Sequence, residues 1–179
     1  MRLSPVTTAV VSSSVDPASV LIWFVVLAPV LVAEVFRSPM IDYRLVALGA
    51  VLPLAEVVVG PNVLHTLLGA VLAMTVVMVA TQRRRLLRRR LLGVPIGMFM
   101  HLILDGSWTR SELFWWPAFG FDFGQSGLPE FDRPIVVGLL LELVGVGVGW
   151  WAIRRYELTD PVKRERLVKT GQLDRSVLS

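Results

Sequence analysis

Apolar residues in this chain neither alternate with polar ones nor recur along a single helical face. They come in nearly unbroken runs, separated by short charged or proline- and glycine-containing breaks. Five runs stand out, at about 20–36, 45–59, 63–80, 91–104 and 135–153. Runs this long and without period-two alternation predict helices that are apolar all round, and stretches approaching 20 residues suit the ~30 Å core of a bilayer. The pattern therefore predicts an all-α, polytopic membrane bundle of about five transmembrane helices over residues 1–155, with a charged tail over 156–179. A cleaved signal peptide is the rival reading of the first run, but Arg2 is far from it and no small-x-small cleavage site follows before Arg37 and Pro39. The first run is expected to be a retained span.

The interruptions within the runs carry the remaining information. Pro53 and Glu56 lie in the second run, where a proline frees a backbone carbonyl and a carboxylate needs a partner. The third run carries His65 near its start, and Gly69, Ala70 and Ala73 favour close helix contact. The fourth run holds His101 and ends at Asp105, after which residues 105–134 form a long connection rich in aromatics, glycine and proline. Such a segment is expected to lie on the membrane surface, re-entrant or as short interfacial helices. Gly145 and Gly149 of the fifth run predict packing on another helix of the same chain, with a homodimer seam as the alternative. Asp160-Pro161 reads as an N-cap with proline at the first helical position. A short helix to about Lys169 with a frayed end is expected.

Composition agrees with the pattern. The chain is 54% hydrophobic and 18% charged, with mean hydropathy +0.65, which excludes an ordinary soluble domain. It has no cysteine, so disulfides, thiolate metal sites and cysteine nucleophiles are excluded. The net charge of +4 sits between the apolar runs and in the tail, where membrane orientation explains it, so membrane lipid is the expected partner and nucleic acid is not. Arg83, Arg84, Arg85, Arg88, Arg89 and Arg90 form the densest cluster and set the orientation as a positive-inside anchor. With that cluster in the cytoplasm, the chain is expected in the plasma (inner) membrane, N-terminus outside and C-terminus inside.

The same orientation sends Glu56, His65, His101 and Asp105 towards the outer leaflet. His101 and Asp105, four residues apart, share one helix face. Ionisable groups inside a membrane are costly and mark functional candidates. Two imidazoles and two carboxylates suit a divalent metal such as zinc, which activates water for hydrolysis. Asp122 or Asp132 could add a ligand or a general base, and Trp108, Trp115 and Trp116 could hold a lipid-like substrate at headgroup depth. Two other readings stay open. In one, His101 with Asp105 and His65 with Glu56 are structural pairs in a non-catalytic scaffold or interaction protein. In the other, the polar groups form a proton-linked transport site, although no inverted repeat is evident.

Residues 42–116 also resemble a known family. The motifs are Gly49-Ala50-Val51-Leu52-Pro53, His65-Thr66-Leu67-Leu68, His101-Leu102-Ile103-Leu104-Asp105 and Phe114-Trp115-Trp116-Pro117. Together they resemble the membrane-bound metal-dependent hydrolases of the LexA-binding, inner-membrane-associated group, distantly similar to zinc-dependent phospholipase C. The resemblance implies metal ligation by His65, Thr66, His101 and Asp105, and hydrolysis of a phosphoester or lipid-like substrate. The acidic motif is degenerate: Leu54 stands where that family has its first aspartate, and Glu56 lies near the place of the second.

Overall fold

The computed structural model describes residues 20–59, 63–118, 120 and 134–178, and all regular structure among them is helical. The helices are α1 Leu21–Phe36, α2 Tyr43–Val59, α3 Leu67–Ala80, α4 Arg85–Leu91, α5 Gly93–Asp105, α6 Ser111–Phe114, α7 Ile135–Arg155 and α8 Pro161–Thr170. Four of the five expected runs are thus single helices within a few residues of their forecast ends. The third is divided. A 3-10 turn over Val63–His65 precedes α3, because Thr66 takes an extended conformation and its hydroxyl caps the helix by accepting from Gly69 N–H.

The arginine cluster, expected as a loop, is largely the short helix α4. The described part of the long connection includes a 3-10 turn over Ser107–Thr109 and α6, whereas Asp122 and Asp132 lie outside the described residues.

Glycines set the closest helix contacts. A Cβ on Gly49 would fall 2.0 Å from the Val94 carbonyl oxygen, and one on Gly97 2.1 Å from the Val46 carbonyl oxygen and 2.9 Å from Gly49 Cα. These distances are far inside contact, so α2 and α5 approach backbone to backbone only because both positions lack a side chain. The paired residue numbers rise together along both helices, which makes α2 and α5 parallel. The same holds for α1 and α7: a Cβ on Gly145 would lie 3.1 Å from Trp23 Cα, and one on Gly149 3.5 Å from a Val26 methyl. The glycine face of α7 therefore meets α1 of the same chain, and a dimer through Gly145 and Gly149 would have to displace it.

The tail corrects an expectation. Beyond α8 the chain does not fray. It turns at Gly171, in the left-handed region, and buries Leu173, Val177 and Leu178 in the cluster that holds Tyr43, Ala152 and Tyr156. Gly171 carbonyl accepts from Tyr43 N–H at 2.7 Å, Val168 carbonyl from Arg44 at 2.6 Å, and Val177 carbonyl from Arg155 at 2.9 Å. Tyr156 donates to Glu34 at 2.9 Å, joining the ends of α1 and α7. Burial, and then that hydrogen bond, hold the Tyr156 hydroxyl above its ordinary pKa.

Among the described residues one helix, α7, is long and apolar enough to cross a membrane, and α1 and α3 are shorter apolar helices. Only 17% of the most apolar window of α7 is buried in the protein, which is not how the core helix of a soluble domain is placed.

Candidate functional site

The close approach of α2 and α5 decides where His101 goes. One helical turn after Gly97, its Nδ1 lies 2.7 Å from the Ala50 carbonyl oxygen. A carbonyl only accepts, so Nδ1 carries a proton. Phe24 of α1 stacks on the other side, with centroids 4.3 Å apart and planes 25° from parallel.

His65 is placed by a different device. The Glu56 carboxylate, near the end of α2, accepts from Val63 N–H at 2.8 Å and from Leu64 N–H at 2.6 Å, one on each oxygen. Those amides open a helical turn, where donors have no intrahelical partner and negative charge is favoured. Thr66 then donates to Val63 carbonyl at 2.7 Å while capping α3. A Cβ on Gly69 would sit 2.2 Å from that same carbonyl, so only glycine permits the junction. Held on both sides, His65 turns inward. Its Nδ1 lies 3.6 Å from Glu56 Oε2, and its ring meets His101 edge-on, with centroids 5.3 Å apart at 78°. Both imidazoles are 0% exposed.

Asp105, 1% exposed, ends α5 and accepts from the Ser107 hydroxyl at 2.6 Å. Gly106 follows at φ 75°, the left-handed cap that lets the chain turn back. The structure thus brings Glu56, His65 and His101 into one buried cluster, with Asp105 a turn beyond His101 on the same helix. Among the described residues, however, no group of three or more His, Asp or Glu is arranged to hold a metal ion. Both oxygens of Glu56 face backbone N–H groups, and the Asp105 carboxylate faces the Ser107 hydroxyl.

The same contacts give the level of the rings along α7. Phe24, which covers His101, follows Trp23, whose backbone packs on Gly145 at the middle of α7. Ten residues of helix on either side amount to about 15 Å. The rings are therefore level with the middle of α7 rather than with its end. Trp108 and Trp115 are exposed and Trp116 half-buried, away from the imidazole contacts. Trp115 and Trp116 line a shallow apolar groove of about 250 Å³ with Leu67, Leu68, Val71 and Phe114.

No family model, curated protein or solved structure matches this chain. The hydrolase resemblance consequently rests on the motif residues alone, and their geometry has to carry any functional reading.

Sequence reasoning missed the partners that orient the rings: the Ala50 carbonyl, the Phe24 ring and the backbone amides at Val63 and Leu64. The only signal was Gly49 and Gly97, small residues within apolar runs. It missed Glu142 as well, which accepts from Ile22 N–H at 2.9 Å and so satisfies a donor at the start of α1.

Proposed function

We propose that this chain is a multi-pass helical membrane protein with a non-catalytic scaffold or interaction role, in which the Glu56–His65–His101 cluster fixes helix packing. The observation that carries the reading is the carboxylate of Glu56, which ties the turn before α3 to α2 and holds His65 edge-on to His101. The carboxylate satisfies two backbone donors that have no helical partner, as buried polar groups require in a medium that offers no water. Membrane placement is supported by apolar side chains that face outward on three helices, among them Val35 of α1, Val76 of α3 and Leu143 of α7, the last 71% exposed. A water-soluble monomer does not carry so continuous an apolar surface. The five-span reading, N-terminus outside and C-terminus cytoplasmic, is supported by α1 and α7 running parallel. It is supported too by Arg37, α4, Arg154 and Arg155 falling at the end of the bundle occupied by the tail.

A second reading, a metal-dependent hydrolase of phosphoester or lipid-like substrates, is favoured by one observation. A histidine whose Nδ1–H is held by a backbone carbonyl presents Nε2 as a ligand, the usual support of metal-binding imidazoles. His65 and His101 would then be donors for a zinc-like ion, and Glu56 and Asp105 would join them by turning from Val63, Leu64 and Ser107.

Metal analysis of protein purified in detergent without chelator separates the two. The scaffold reading expects well under one bound divalent ion per chain and no thermal shift on adding zinc. About one ion per chain, released by His65→Ala with His101→Ala, overturns it in favour of the hydrolase.

A further inference from the structure

At the end of the bundle occupied by the tail, α4 leaves its apolar and basic residues without protein cover. Leu86 is 75% exposed, and Leu87 and Met40 are exposed beside it. These three line a groove of about 340 Å³ with Arg89, Arg90 and Gln172. A second groove of about 350 Å³ shares Met40 and Arg89 and continues past Ser38 and Ile41 to Leu92 and Ile96. The six arginines from Arg83 to Arg90 form no salt bridge with a described carboxylate, whereas Asp42, whose carbonyl oxygen lies beside Gly93 at the start of α5, is held by Arg44.

We propose that this groove binds an anionic phospholipid, its phosphate between Arg89 and Arg90 and its acyl chain over Met40, Leu86, Leu87, Ile41 and Ile96. Charge complementarity selects the headgroup: paired guanidinium forks match phosphate oxygens in shape and sign. The apolar floor selects a lipid over a soluble phosphate, since the floor runs from the arginines towards the apolar flank of α5. Two arginines favour an anionic over a zwitterionic headgroup by about tenfold or more. The site rests on the membrane placement proposed above, and it is independent of whether the imidazole cluster binds metal.

The test uses the full chain in nanodiscs holding equal phosphatidylglycerol and phosphatidylcholine, released into native mass spectrometry. Retained phosphatidylglycerol is expected to exceed phosphatidylcholine about tenfold. Arg89→Gln with Arg90→Gln removes the preference, Arg89→Lys with Arg90→Lys keeps most of it, and Arg83→Gln with Arg84→Gln leaves it within about twofold. Equal retention of both lipids by the unmodified chain overturns the proposal, as does a preference lost equally from both Gln pairs, which would mean a diffuse basic surface. Glycerol phosphate is expected to leave the melting temperature unchanged, and a shift equal to that given by the lipid overturns the acyl-chain part. Failure of the chain to insert into nanodiscs would instead overturn the membrane reading itself.

Discussion

His101 Nδ1 and the Ala50 carbonyl oxygen stand 2.7 Å apart across two helices that touch through Gly49 and Gly97. The hydrogen bond is a consequence of the glycines. A side chain at either position would push α5 away from α2 and carry the imidazole out of reach.

Gly97→Ala is therefore expected to destabilise the protein by about 1–3 kcal/mol, the range for overpacking a tight interior. Gly147→Ala, where an added Cβ meets nothing within 4 Å, should stay within about 0.5 kcal/mol of the parent or gain slightly. Thermal unfolding in one detergent, followed by far-UV circular dichroism, compares them. Equal melting temperatures for both variants would remove the glycine contact as the organiser of the α2–α5 pair.

Glu56→Gln tests the clamp. An amide presents one acceptor oxygen where the carboxylate presents two, so either Val63 or Leu64 N–H would face an NH₂ group. Leaving a buried donor unmet costs about 1–3 kcal/mol. Amide exchange at Val63 and Leu64, measured by NMR in micelles, should accelerate, while exchange in α7 stays as it was. Unchanged protection at both amides would show that the carboxylate does not hold the turn.

The packed tail gives a third expectation. Leu173→Ala removes a buried side chain from the contact of the tail with Tyr43 and Tyr156, with a cost of about 2–3 kcal/mol. Because the tail is the last element of the chain, the loss should appear first as local opening. Trypsin cleavage after Arg175 should become faster well before the bundle melts. Cleavage at the parent rate would mean the tail is not held by its apolar residues.

Asp174 supplies the pH dependence of the tail. Its carboxylate accepts from the backbone N–H of Ser176, then from the Ser176 hydroxyl, and pairs with Arg166 at 2.6 Å, which together hold its pKa below the ordinary 3.8. A lowered folded value contributes stability that is complete above 3.8 and lost as pH falls through the lowered value. The Ser176 amide resonance should stay in place down to about that ordinary value and move below it. In Asp174→Asn the acid-dependent movement should vanish, and a titration that survives the substitution would assign it to another group.

Several features were readable without coordinates. The apolar runs gave the helices, since runs of this length without period-two alternation suit helices and not strands. Asp160 and Pro161 gave the start of α8, because a capping carboxylate and a missing N–H are local effects. Glu56, His65, His101 and Asp105 stand out in the sequence as ionisable residues in apolar surroundings, and the sequence allows the pairing of Glu56 with His65.

Other features lay outside what hydropathy registers. The third run broke at Thr66 because a single hydroxyl found both Gly69 N–H and Val63 carbonyl, and hydropathy does not register a cap. The tail looked frayed because Leu173, Val177 and Leu178 are few and scattered, yet each finds the apolar cluster beside Tyr43.

The sequence by itself determined that this chain is helical and that a few costly polar groups are set within its apolar runs, because hydropathy and capping act over one or two turns. Only the tertiary structure decided what those groups meet. Glu56 faces backbone amides, His101 a carbonyl and the stacked Phe24 ring, and His65 the edge of His101. The His101 meeting depends on how closely α2 and α5 approach, and that distance is set by glycines whose partners lie about 45 to 50 residues away.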